Sequence, residues 1–246
     1  MTNTKPIRLA KRIADAGFCS RRQAEVLIND GRVSVNGKII HSPATTVTET
    51  DDVMVDGDLI ATKQETRMFM FYKPLGVLCT AKDPQGRPTV FDGLPKDFPR
   101  VVTVGRLDIN SEGLLILTTD GGLAQKMMRP ETEVVRTYRV RVFGNLPEDM
   151  EKRLSRGITV DGVKYRPISM QKESKSTGKN HWLKLSLQEG KNREIRKVMK
   201  HFGLQVNRLI RIKYGDFSLG KMQKGEIIEI SPGKIKKYAQ KIGLDG

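Results

Sequence analysis

The run Gly105-Arg-Leu-Asp-Ile-Asn-Ser-Glu-Gly-Leu-Leu-Ile-Leu-Thr-Thr-Asp-Gly concentrates side chains that can do chemistry. Arg106, Asp108, Asn110, Ser111 and Glu112 lie in a short stretch between two hydrophobic segments, Val101–Val104 before it and Leu114–Leu117 after Gly113. Polar groups suspended between two core strands are well placed for catalysis or binding. A carboxylate such as Asp108 can bond transiently to a reacting atom. A purely structural loop, whose aspartate caps its own turn, also fits the spacing. Metal chemistry finds no ligand pattern: Cys19 and Cys79 are far apart, and His41, His181 and His201 are scattered. Neither a metal spacing nor a disulfide framework results.

The elements that must hold this loop divide into two regions. Residues 1–62 read as a small module. Leu9, Ala10, Ile13 and Ala14 recur at helical spacing up to Gly17, and Ser20 with Gln23 forms a capping box opening a second helix that Gly31 closes. Val33 and Val35 then alternate into Asn36-Gly37, a hairpin signal, and Val53–Val55 turns at Asp56-Gly57. A polar linker is expected over residues 61–66. Beyond it, residues 67–232 mix strand patterns (Phe69–Tyr72, Val101–Val104, Leu114–Thr118, Tyr138–Val142, Leu183–Leu187, Glu226–Ile230) with helical ones (Leu123–Met128, Glu148–Leu154, Arg193–His201). Without regular βαβ alternation the expectation is an α+β domain with a mostly antiparallel mixed sheet. Residues 233–246 read as a loose basic tail.

Charge points to a polyanion. The 246 residues carry 44 Lys and Arg against 28 Asp and Glu, a net +16; neutralising phosphates releases counterions. The module is polarised: residues 1–38 hold Lys5, Arg8, Lys11, Arg12, Arg21, Arg22, Arg32 and Lys38, whereas residues 39–62 hold five acids and no Lys or Arg. Its helices, not its later strands, are therefore expected to face phosphates. No apolar run approaches a membrane span of roughly 18 residues, and the start lacks the apolar stretch of a signal peptide. A cytoplasmic location is the expectation, with no membrane contact and no protein partner implied.

The segments Arg8-Leu-Ala-Lys-Arg-Ile-Ala-Asp-Ala-Gly, Ser20-Arg-Arg-Gln-Ala-Glu and Gly31-Arg-Val-Ser-Val-Asn-Gly resemble the alpha-L RNA-binding domain named after ribosomal protein S-four. The loop around Asp108 resembles the active-site motif of the RsuA/RluB branch of pseudouridine synthases. Its flanks agree: Tyr72-Lys-Pro-Leu-Gly-Val, Asp83-Pro-Gln-Gly-Arg-Pro-Thr-Val-Phe-Asp, Arg136-Thr-Tyr-Arg-Val and Glu189-Gly-Lys-Asn-Arg-Glu-Ile-Arg-Lys-Val. The likeness spans about residues 68–231.

The resemblance implies that Asp108 is the nucleophile of a cofactor-free uridine isomerisation, adding to ribose or base. It implies an active-site base-stacking role for Tyr138, whose alternation with Val140 and Val142 also suits a core tyrosine. Arg196 is the expected cation beside Asp108. It sits on the border of the stripe Ile195, Val198, Met199 and Phe202, whereas Arg193 and Lys197 fall toward solvent and suit phosphate contact. Arg106 resembles the residue that fills the gap left by a flipped nucleotide, with a structural ion pair as the other reading; Lys73 and Arg87 are expected to line the RNA path. The whole then reads as an enzyme acting on ribosomal RNA. The flanking motifs look closer to large-subunit (23S) than to small-subunit (16S) members, and the substrate is naked RNA or RNA in a pre-ribosomal particle. A non-catalytic RNA-binding assembly factor is the alternative. A methyltransferase would need a glycine-rich cofactor loop, and no G-x-G-x-x-G run occurs.

Overall fold

A computed structural model of the chain describes residues 5–61, 63–173 and 178–244. The first four residues, Thr62 of the expected linker, residues 174–177 and the last two residues of the expected tail lie outside that description. The chain forms two compact units. One comprises residues 1–67 with 97–102 and 118–121, and the other holds the remainder. The first unit thus takes in two short segments that the sequence pattern placed in the larger region.

Within the first unit, α1 (Leu9–Asp15) packs on α2 (Arg21–Asn29). Ser20 caps α2 reciprocally: its Oγ accepts from the Gln23 N–H at 3.2 Å, and its own N–H donates to Gln23 Oε1 at 3.0 Å. Such a cap contributes about 1 kcal/mol. Strands β1 (Val33–Val35) and β2 (Lys38–Ile40) pair across Asn36-Gly37, both at positive φ (49° and 78°), as a two-residue mirror-image turn requires. β3 (Val53–Val55) joins β1 and turns at Asp56-Gly57 into β4 (Asp58–Leu59). Leu9, Ile13, Ala24, Ile28, Val33, Val53 and Val55 make the core.

The second unit is built on a sheet with strands β5 (Met68–Lys73), β6 (Glu112–Thr118), β7 (Arg136–Phe143), β8 (Ser169–Lys172), β9 (Asn180–Leu187), β10 (Gln205–Tyr214) and β11 (Ile227–Ile230). Their spatial order is β8-β9-β7-β10-β6-β5-β11. The β10–β6 pair is parallel; β8–β9, β9–β7, β7–β10 and β11–β5 are antiparallel. Helices cover both faces. α3 (Gly121–Met128) and α6 (Pro232–Lys241) share a core with Met68, Tyr72, Leu114, Ile116 and Ile210. On the other face α4 (Met150–Ser155) and α5 (Glu194–His201) pack on Val140, Val142, Leu183, Leu185 and Leu209. β6 is buried along its whole length, as expected of a strand covered on both sides.

The C-terminal segment differs from its expectation. It is not a loose tail: α6 buries Ile235 and Tyr238 in the first of these cores, and its lysines project from the opposite side. The two apolar side chains, three positions apart, form a helical stripe that the surrounding lysines mask in the sequence.

Candidate active site

The loop carrying Asp108 is fixed by its backbone rather than by its side chains. The Ser111 N–H closes a turn on the Asp108 carbonyl at 2.9 Å, and the Gly76 N–H donates to the Ile109 carbonyl at 2.9 Å. Lys73, fully buried at the end of β5, donates its Nζ to the carbonyls of Ser111 (2.8 Å) and Pro74 (2.9 Å). Burial holds its pKa below the ordinary lysine value, opposed by Cys79, Asp108 and Glu112. Lys73 therefore supports the loop from beneath; it does not line an RNA path. After the loop comes Gly113, where β6 meets β10. A side chain there would put Cβ 2.3 Å from the Arg211 carbonyl oxygen, so only glycine allows the parallel bridge Arg211↔Gly113.

Backbone anchoring leaves Asp108 free to open its side chain, a third exposed, into a cleft of about 940 Å³. Arg106, Tyr138, Arg193 and Arg196 line the same cleft. Tyr138 reaches it from β7, half-buried, with Val140 and Val142 following on the same face. Arg193 immediately precedes α5 in a left-handed conformation, φ 52°. That conformation swings its guanidinium to 3.8 Å from Asp108 Oδ2. Arg196, half-buried on α5 as its border position implies, donates instead to the carbonyls of Asn110 (2.6 Å) and Val206 (3.3 Å). Burial, then Arg193, lower its pKa, and Asp108 opposes them. The cation in ion-pair range of Asp108 is thus Arg193, while Arg196 ties α5 to the loop. Helical-wheel reasoning misplaced Arg193 because that residue is not in the helix.

Other cleft residues had no role assigned from the sequence. Arg136, buried, donates Nη1 to the Gln188 carbonyl (2.5 Å) and Nη2 to the Tyr214 hydroxyl (3.2 Å). Arg211, also buried, donates to the Leu114 carbonyl at 2.7 Å, and both guanidinium groups lie 5.1 Å from the Tyr214 ring centroid. Glu194, 3% exposed, accepts from the Lys191 N–H at 3.0 Å. Burial first, and Glu189 second, push its pKa up to about 7. Outside the cleft lining, Glu112 is fully buried but paired with Arg208 (2.5 Å) and Lys224 (3.1 Å). Burial alone would raise its pKa; the bonds to those two cations outweigh burial and lower it. Arg136, Glu189 and Glu194 stood in the quoted motifs, and their place in those motifs was the signal available.

Not every expected RNA-contacting residue is free to act. Arg87 is held by Asp83, Nη2 to Oδ1 at 2.8 Å and Nε to Oδ2 at 3.1 Å, which drops the Asp83 pKa to about 2. Arg12 is buried, donating Nη1 to the Ala61 carbonyl at 2.7 Å, and so is a strut inside the module rather than part of an RNA face. Lys11 pairs with Asp15 one turn on, Arg32 with Asp56 (2.6 Å), and Arg8 bonds the Ala44 carbonyl at 2.5 Å. Arg21, Arg22 and Lys38 are exposed. Among the described residues no cluster of three metal-ligating side chains occurs, and no helix is long and apolar enough to cross a membrane.

Residues 67–201 match the RNA pseudouridylate synthase family, a span that holds Asp108, Tyr138, Arg193 and Arg196. The chain belongs to that family. Residues 7–53 match the S4 domain. An uncharacterized RNA pseudouridine synthase of Rickettsia bellii is 48% identical over 224 residues, covering 91% of this chain and 96% of that protein. Ribosomal large subunit pseudouridine synthase B of Yersinia pestis is 47% identical over 222 residues, covering 87% and 69%; the Salmonella typhi protein of that name is also 47% identical, covering 87% and 75%. A crystal structure of a pseudouridylate synthase superimposes with a TM-score of 0.68 at 26% identity, covering 94% of this chain and 99% of that one. The chain is therefore an RNA pseudouridine synthase with an N-terminal S4 domain.

Proposed function

We propose that this synthase converts one or a few uridines of ribosomal RNA, in the large (23S) subunit, with Asp108 as nucleophile and no cofactor. The observation that carries the proposal is the shared cleft. An aspartate held by its backbone faces a tyrosine ring and two arginines there. The reaction breaks the bond between uracil N1 and ribose C1′ and forms one from C5 to C1′; C5 gives up its proton and N1 receives one. Asp108 bonds transiently to ribose or base while uracil turns. Arg193 pairs with that carboxylate at 3.8 Å, and Arg196 holds its loop through the Asn110 carbonyl.

Tyr138 offers its ring to a base removed from its neighbours, and Arg106, exposed at the cleft, takes the vacated place in the RNA stack. Neither role needs a metal or a bound coenzyme. The relatives named for the large ribosomal subunit support the 23S assignment over 16S. The S4 domain, through Arg21, Arg22 and Lys38, would supply phosphate contacts, with residues 67–232 as the catalytic domain and the cytoplasm as the place of action. A non-catalytic assembly factor would have no use for this cleft.

The test is conversion of uridine-labelled 16S and 23S transcripts, with pseudouridine mapped, in the presence of chelator. Conversion in 23S RNA without metal or added coenzyme is expected, and Asp108→Asn should abolish it with RNA binding retained. Undiminished conversion by that variant would remove Asp108 from the mechanism.

A further inference from the structure

Strand alternation puts Tyr138 in the cleft and its neighbours Arg139 and Arg141 on the opposite face of the sheet, both exposed. Across the ladder Arg139 lies opposite Lys184 of β9, and Arg141 lies opposite Arg208 of β10. Directly opposed residues are about 5 Å apart at Cβ, and like charges so placed destabilise a sheet. Two such pairs on three adjacent strands are costly to the free protein. Carboxylates relieve only part of it: Glu173 holds Arg139 at 2.5 Å and Glu112 holds Arg208 at 2.5 Å. Among the described residues no carboxylate pairs with Arg141 or Lys184. Between them stands Trp182, opposite Arg141 and half-buried, with the Arg139 guanidinium 4.3 Å above its ring.

We infer that this basic sheet face, behind the catalytic cleft, binds the phosphate backbone of the substrate RNA outside its target loop. The inference rests on the RNA-modifying reading above. A row of like charges that carboxylates only partly relieve is what a polyanion site looks like before its ligand arrives, and the protein's own substrate is the polyanion at hand. Stacking on Trp182 holds Arg139 flat and reduces the freedom it loses on binding. The face is one strand thickness from Tyr138, so an RNA whose loop enters the cleft has flanking arms within reach of it.

The experiment uses the full chain, a ribosomal RNA fragment with a modifiable loop flanked by helical arms, and the isolated loop. The variant is Arg141→Gln combined with Lys184→Gln; both residues are exposed, so folding is retained. Affinity for the armed fragment should fall roughly tenfold, with a salt slope shallower by about 1.4–1.8 for two lost phosphate contacts. Conversion of the isolated loop should not change. Trp182 is the only tryptophan in the chain, so its emission reports this face directly; the armed fragment should alter it and the isolated loop should not. Unchanged affinity and slope on the armed fragment, or equal losses on both RNAs, would overturn the inference. Absence of pseudouridine in either RNA would instead count against the reaction assigned above, and leaves the binding and emission results readable.

Discussion

Gly113→Ala tests the joint between the Asp108 loop and the sheet. Gly113 has φ 108°, and a Cβ built there lies 2.3 Å from the Arg211 carbonyl oxygen and 2.7 Å from its nitrogen. Both contacts are backbone, so no side chain can swing aside. The backbone conformation alone costs roughly 1–3 kcal/mol for a residue other than glycine. Forcing β10 and β6 apart adds about 1–3 kcal/mol of overpacking. Gly105 supplies the control: it has φ 73° at the other end of the same loop, but nothing lies within 4 Å of its Cβ position. Gly105→Ala should therefore cost only the conformational part. At about 2–4 °C per kcal/mol for a chain of this size, Gly113→Ala should lower Tm by roughly 4–24 °C and Gly105→Ala by about half or less. Calorimetry or urea titration of the two variants side by side measures this. Arg211 moves with β10, and Asp108 is five positions before Gly113, so folded Gly113→Ala should also convert uridine about 10²-fold more slowly. Equal stability of the two alanine variants would refute the close approach, and with it the claim that only glycine allows the β10–β6 bridge.

Three further outcomes follow from the site and its supports. Glu194, with its folded pKa raised to about 7, retains its proton between roughly pH 4.3 and 7 while the unfolded chain has released it. Stability should therefore fall across that window as pH rises, and Glu194→Gln should flatten the trend in urea midpoints; an identical slope in the variant would contradict the buried carboxyl. Arg193→Ala should lower kcat/KM with little loss of stability, because the pair at 3.8 Å is a third to a half exposed; an unchanged kcat/KM would exclude Arg193 as the partner of Asp108. Tyr238→Ala should destabilise by about 3 kcal/mol in thermal unfolding, since its ring packs on Phe217 at 4.8 Å in the main core; a negligible loss would restore the picture of a detached tail.

What was legible in the sequence were patterns whose physics is local. The Ser20 capping box, the two Asx-Gly hairpins and the apolar stripe of α5 each rest on neighbours a few positions apart, and each is present. The largely antiparallel α+β sheet and the polar loop before β6 also followed from local pattern. What escaped depends on distant partners. β10, next to the Asp108 loop in the sheet, was not recognised because Arg208 and Arg211 interrupt its apolar residues. One is answered by Glu112 and the other by the Leu114 carbonyl, both nearly a hundred positions away. Arg12 and Lys73 looked like surface cations, yet each is buried against carbonyls. A charged side chain on paper carries no mark of whether a remote carbonyl awaits it.

The same point bears on the division of labour between Arg193 and Arg196. From helical spacing alone Arg196 is the better candidate to meet Asp108, because it alone borders the buried stripe. The helix begins one residue after Arg193, however, and that residue's left-handed backbone places its guanidinium over the cleft rather than along the helix surface. Arg196, having reached inward, meets the Asn110 carbonyl first. Two cations consequently serve one carboxylate in different ways. The outer one opposes its charge and remains partly solvated, whereas the inner one holds the loop on which Asp108 rides. Loss of the inner arginine should cost positioning of the loop, and loss of the outer one should leave the carboxylate without its counter-charge.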